Sequence, residues 1–261
     1  MLIALVTVQS AAAQSDEVAE AEDFREPIVL DATIGYHFST GKYGGSERTD
    51  ISFVPLTVGA RYDAWSVRLT IPWISVNGAP DVTEDGTPPI VDGSVITGEG
   101  SGLGDVTLRG VYTIFPLRPW MPFVDLGARI KFPTADADRG LGTGKFDYEL
   151  QIEFARVFGR FTPFANAGYR FVGDPATFDL DNSWLASAGG VWRLTERVNT
   201  GLFLYFQQSS SVSAHDQLDL MPYLDWAITP IWAASTYVTA GLQTGSPDFG
   251  IGLQLTYRAQ Y

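Results

Sequence analysis

Apolar and polar residues alternate along most of the chain. In the closing segment "FGIGLQLTYRAQY", residues 249–261, the odd positions are Phe249, Ile251, Leu253, Leu255, Tyr257, Ala259 and Tyr261. The even positions between them are Gly250, Gly252, Gln254, Thr256, Arg258 and Gln260. A strand sends successive side chains to opposite faces, so this pattern predicts one apolar face and one polar or glycine face. At about thirteen residues the strand is far longer than the five or six usual in soluble proteins.

The same period recurs upstream. One parity is apolar at Ile28–Phe38, Val54–Tyr62, Trp65–Trp73, Val106–Ile114, Val124–Phe132 and Phe146–Ile152. It continues at Ala165–Phe171, Trp184–Trp192 and Val198–Phe206, with weaker members near 217–228 and 232–243. With the terminal segment this predicts about twelve strands. Pro222 removes a ladder donor in the first of the weaker pair, and a bulge there would shift its parity. The connections alternate in length: "DA", "FPLRPWMP", "VFGRF", "LTER" and "TPI" are short, whereas "STGKYGGSERTD", 77–104, "PTADADRGLGTG", "VGDPATFDLD" and "QSSSVSAHD" are mostly longer. Short periplasmic turns and longer extracellular loops are the pattern of transmembrane barrels.

Alternation alone fits a soluble sandwich equally well. Three features favour a closed antiparallel transmembrane β-barrel, an all-β fold. Twelve strands close around a space wider than side chains fill, which about eight already occupy. Strands of about ten residues, tilted, match a bilayer. Aromatic residues collect near the strand ends of the apolar face, among them Trp65, Trp73, Tyr112, Tyr148, Tyr169, Trp184, Trp192 and Trp226, as interfacial girdles require. The last strand is expected to close on the first, because hydrocarbon does not tolerate an open edge. Its terminal aromatic also resembles the targeting signal read by the barrel-assembly machinery, a partner expected during insertion into outer-membrane lipid.

Composition narrows the function. The net charge is −13 and no basic run occurs, which argues against nucleic acid as a partner. There are no cysteines, so thiolate metal sites and disulfides are excluded. Residues 1–13 read as a signal peptide lacking its positive start, and 14–27 as an acidic periplasmic lead-in, with the barrel spanning 28–261.

If the apolar parity faces lipid, the other lines a lumen. The candidate lining residues are Asp31, Arg61, Arg68, Asp105, Arg109, Asp125, Arg129, Lys131, Asp147, Glu149, Arg170, Arg193, Asp225 and Arg258, with Glu153 and Asp219 on the same parity. Positive and negative side chains are about equal in number. That fits charge pairs across strands, or a path for small, neutral or weakly polar solutes, better than a basic pore for anions. Twelve strands give a backbone diameter of about 24 Å, narrowed by side chains to about 10 Å or less. The connection 77–104 could fold inward as a constriction or only shield the mouth.

No catalytic, cofactor-binding or metal site is expected. "GEGSGLGD" is followed by a strand and not a helix, so it is no phosphate cradle. His37 and Ser39 resemble the His-x-Ser of outer-membrane lipid hydrolases, but no third group accompanies them and both share the inward parity.

The segments "SGLGDVTLRGVY", "ARIKFPTADADRGLGTGKFDYEL", "FANAGYRFVGD" and "SPDFGIGLQLTYR" resemble the outer-membrane transporter family named for the MetA pathway of phenol degradation. The resemblance implies an outer-membrane channel for small, aromatic or hydrophobic compounds, and brings no set of binding residues. Selective or passive diffusion of a small-molecule solute is therefore the expected function. A barrel enzyme using His37 and Ser39, or a structural or adhesive barrel, is the alternative.

Overall fold

The computed structural model describes residues 27–78, 90–91, 94–95, 99–175, 179–211 and 214–261. The first twenty-six residues, and with them the expected signal peptide and lead-in, lie outside the described residues. Most of the connection 78–99 does too, and with it the question of an inward constriction there.

Twelve long strands run through the described residues: β1 Val29–Gly41, β2 Thr49–Tyr62, β3 Trp65–Asn77, β4 in two parts (Gly100–Leu103 and Val106–Ile114), β5 Phe123–Phe132 and β6 Asp147–Ala155. They continue as β7 Phe161–Phe171, β8 Ser183–Arg193, β9 Val198–Gln207, β10 Gln217–Ala227, β11 Trp232–Gly241 and β12 Phe249–Gln260. A two-residue hairpin, Ile90–Val91 with Ser94–Val95, lies in the connection before β4. Both parts of β4 pair with β3, the break falling at Gly104 and Asp105 opposite Pro72.

Each strand pairs antiparallel with its sequence neighbours, and β12 returns to β1 in register from Val29↔Gln260 to Thr40↔Phe249. The peptides of Ile28 and Tyr261 exchange two further hydrogen bonds of 3.0 Å. The alternation of the terminal segment is thus spent on closure, and the ring has no open edge.

The apolar parity points outward. Leu253 is 53% exposed and Leu255 41%, while Ile34, Leu56, Val67, Leu150 and Leu202 on other strands are exposed in the same way. The opposite parity holds the buried charges, Lys131 at 1% and Glu149 at 3%. A face this apolar and this exposed is stable only against hydrocarbon, so the chain is a transmembrane barrel of the outer-membrane type. Aromatic pairs ring both ends. Trp65 and Tyr112 (4.8 Å between centroids), Phe161 and Trp192 (4.4 Å), and Trp232 and Tyr257 (5.2 Å) lie at one rim. Phe132 with Phe146 (5.8 Å) and Tyr169 with Trp184 (4.7 Å) lie at the other.

The first of these rims carries the short connections 63–64, 115–122, 156–160, 194–197 and 228–231. The second carries 42–48, 78–99, 133–146, 172–182, 208–216 and 242–248. These are called the short-turn and long-loop rims. The expected disturbance at Pro222 is local. Its side chain faces out, the pairing of β10 with β9 is continuous through Leu202↔Pro222, and only the ladder to β11 lapses at Met221 and Pro222. Parity is kept, because a missing donor breaks one ladder without adding a residue.

Candidate functional site

The interior is the place where this fold can act on a solute. The candidate lining residues all lie on the inward parity, in five groups. At the short-turn end, Asp31 is in register with Arg258 and its carboxylate lies 3.8 Å from Arg68 Nη2, with Arg61 on the adjoining strand. Arg193 and Asp225 share a register row through Asn199 on the strand between them. Asp125 sits directly opposite Glu153 on β5 and β6.

The fourth group climbs the wall of β3–β7. Arg68 faces Arg109, Arg109 faces Arg129, Arg129 faces Glu149, and Glu149 faces Arg170. Glu149 Oε2 accepts from Arg129 Nη2 at 3.2 Å and from Arg170 Nη2 at 2.8 Å and Nε at 2.9 Å. Gln151 donates to its other oxygen at 2.7 Å. Although positive and negative residues are similar in number, their placement is therefore uneven: one row is dominated by arginine, which an even count could not reveal.

Asp105, Lys131 and Asp147 form a separate, closed arrangement near the long-loop rim. Lys131 Nζ lies 3.2 Å from Asp105 Oδ2 and 2.8 Å from Asp147 Oδ2, and donates to Thr143 Oγ1 at 3.1 Å. The ammonium is thus held between two carboxylates and a hydroxyl. The two carboxylates are used in turn: Asp105 Oδ1 accepts from the Ala135 amide at 3.0 Å and Asp147 Oδ1 from the Gly173 amide at 2.9 Å. Thr134 completes the join, accepting from the Val106 amide and donating to the Gly104 carbonyl. The loop 133–146 is thereby tied to the barrel mouth. Its Leu141, fully buried, packs with Ala135 and Tyr43 against the inward side chains Ile51, Phe53, Ile74 and Val76. Burial raises the pKa of the Tyr43 hydroxyl in the 42–48 loop, which bonds to Ser39 Oγ at 2.8 Å.

Next round the ring from the charged wall is an apolar one that the reading of the polar parity did not include. Phe164, Val191, Phe203, Met221, Tyr223 and Tyr237 form a buried cluster on β7–β11, with Phe123 and Tyr205 packed against it. Two glycines make room for it. A Cβ at Gly201 would collide with the ring of Tyr223, and one at Gly252 with the ring of Tyr237, so both tyrosines lie flat against the wall. The signal was present in "FLYF" and "LMPYL", where both parities are apolar and the sequence stops looking two-sided.

His37 and Ser39 go to different partners. The His37 ring stacks on Tyr237 with centroids 5.6 Å apart, and its Nδ1 lies 3.1 Å from the Tyr237 hydroxyl. Ser39 is bound to Tyr43. No group of three or more potential metal-ligating His, Asp or Glu side chains occurs among the described residues.

The model of the family described as "Putative MetA-pathway of phenol degradation" matches residues 52–259. The chain belongs to that family. The family's match takes in β3–β12 and most of β2, so the arginine row, the lysine latch and the apolar wall all fall within it. No curated protein matches the chain. Among solved structures it is similar to an outer membrane channel from Pseudomonas putida F1, with 13% identity, 92% of this chain and 100% of that chain covered, and a TM-score of 0.68. The NanC porin is similar at 12% identity, 87% and 98% coverage and a TM-score of 0.55. CymD, a monoaromatic hydrocarbon channel, is similar at 12% identity, 91% and 89% coverage and 0.51. At these identities the likeness is one of fold, and it agrees with the barrel built above from the residues.

Proposed function

We propose that this family member is an outer-membrane channel for small solutes with apolar or aromatic character. The observation that carries the reading is the two-walled interior: arginines in register on β3–β7 and an aromatic and aliphatic cluster on β7–β11. Either wall alone would suit one kind of solute; together they suit a molecule with a greasy body and a polar group. The monoaromatic hydrocarbon channel among the fold relatives supports the same class. The short-turn rim faces the periplasm and the long-loop rim the medium, following the usual arrangement of such barrels. Passage is by diffusion down a gradient, with the loop 133–146 narrowing the outer mouth.

A non-enzymatic role is supported by the separate engagement of His37 and Ser39, since a nucleophile and its base must share a hydrogen bond. Lipid around the barrel and the assembly machinery during insertion are the other partners of this reading. The test is conductance of the purified, refolded protein in planar bilayers, followed by solute entry into liposomes. Discrete ion-conducting steps are expected. A barrel that is folded by heat-modifiable gel migration yet conducts nothing would sink the reading. Lipid hydrolysis lost in Ser39→Ala would replace it with the enzymatic one.

A further inference from the structure

The register row on the charged wall is a ramp. It starts with Asp31 and Arg258, close to the short-turn ends of β1 and β12, and passes Gly59 to Arg68, Arg109 and Arg129. It ends at Arg170, one residue from the long-loop end of β7. Because barrel strands tilt, one hydrogen-bonded row climbs the wall as it crosses strands, so this row links the two mouths.

Its charges are not balanced along its length. Like charges directly opposite on neighbouring strands destabilise a sheet, yet Arg68, Arg109 and Arg129 stand side by side on three of them. Acids compensate at the ends only: Asp31 beside Arg68, and Glu149 between Arg129 and Arg170. Arg109, in the middle, forms no ion pair among the described residues, and its Nη1 is buried without a hydrogen-bond partner. Glu149, Glu153 and Asp125 attract it through space without an ion-pair contact. A guanidinium offers a planar fork of donors matched to a carboxylate or phosphate. At the upper part of the ramp the apolar wall comes close: Tyr205 packs against the aromatic cluster and lies within the field of Arg129, Glu149 and Arg170.

Resting on the channel reading above, we propose that the ramp is an anion track and that the solute class is a small carboxylate with an apolar or aromatic body. Arg109 is the specificity-determining residue. The carboxylate takes the unpartnered Nη1 of Arg109 while the body follows the Tyr205 side of the lumen. A singly charged carboxylate is favoured over a phosphate, because Asp125 and Glu153, two inward rows below, disfavour a second negative charge.

The test is bi-ionic reversal-potential measurement on the full-length refolded protein in planar bilayers at pH 8, with potassium benzoate, potassium acetate or potassium phenyl phosphate opposed to potassium chloride. Wild type is expected to prefer anions to potassium and benzoate to acetate. Arg109→Gln should lower the benzoate-to-potassium permeability ratio about fivefold, with Arg109→Lys keeping anion preference but losing part of the preference for benzoate. Heat-modifiable migration of each variant checks that it has folded. A conducting wild-type channel that prefers cations, or that passes benzoate no better than acetate, overturns the anion track and leaves the channel reading standing. Preference for phenyl phosphate overturns the carboxylate assignment. A folded wild-type barrel without conductance removes the channel reading and this proposal with it.

Discussion

Lys131 and Arg109 are both inward-facing cations on neighbouring strands, two register steps apart in height, and they are treated in opposite ways by their surroundings. Lys131 is buried between two carboxylates and a hydroxyl, and its acids tie down backbone amides of the loop 133–146 and of Gly173. Arg109 stands between two other arginines and keeps a buried donor unused. A buried charge with all its partners inside the protein has nothing left for a ligand and serves the structure. One whose partners stop short is held at some cost in stability, and that cost is explicable where a passing anion supplies the missing acceptor. Gly-Leu-Gly-Asp (102–105), Lys-Phe-Pro-Thr (131–134) and Gly-Thr-Gly (142–144), which lie in the segments that carry the family resemblance, all converge on the lysine, where they hold the loop to the mouth.

The strongest break in this contrast is Lys131→Met. It leaves Asp105 and Asp147 facing each other without their cation, and removal of one partner from a buried pair costs about 3–5 kcal/mol. Denaturant unfolding in detergent micelles should show the loss. Replacing all three charged residues together by neutral ones of similar size should recover much of it.

Leu141→Ala comes next. It empties a fully buried site under the loop and should cost about 2–4 kcal/mol, with larger and noisier conductance as the loop loosens. Gly252→Ala pushes a methyl group into the Tyr237 ring and should cost about 1–3 kcal/mol by the same unfolding assay. Combined with Tyr237→Ala, the second effect should shrink, since the obstacle is gone.

Arg109→Gln sharpens the comparison from the other side. It removes repulsion from Arg129 along with attraction from distant acids, so a change within about 1 kcal/mol is expected while permeability ratios move. At the bottom of the scale, Asp248→Asn breaks the ion pair with Arg48, both half-exposed at the long-loop rim, and should shift stability by about 0.5 kcal/mol or less.

Much of the architecture was legible in the order of residues. Period-two alternation, strand length, girdle aromatics and the spacing of turns determine a closed barrel of twelve strands with its greasy side out, because a bilayer constrains length, polarity and edge satisfaction at once. The inward parity of Arg68, Arg109, Arg129, Lys131, Asp147, Glu149 and Arg170 follows from the same period. What only the tertiary structure decided is which of them meet. Register between strands is set by how turns and closure align them, so a single chain reading cannot show that three arginines share one row while a lysine two residues along the strand from one of them is enclosed by aspartates. Nor could alternation reveal the apolar wall. Phe203, Met221 and Tyr223 are apolar on a parity that otherwise reads as polar, and they are tolerated inside because they pack on one another across a curved sheet, a contact made by strand neighbours and not by sequence neighbours.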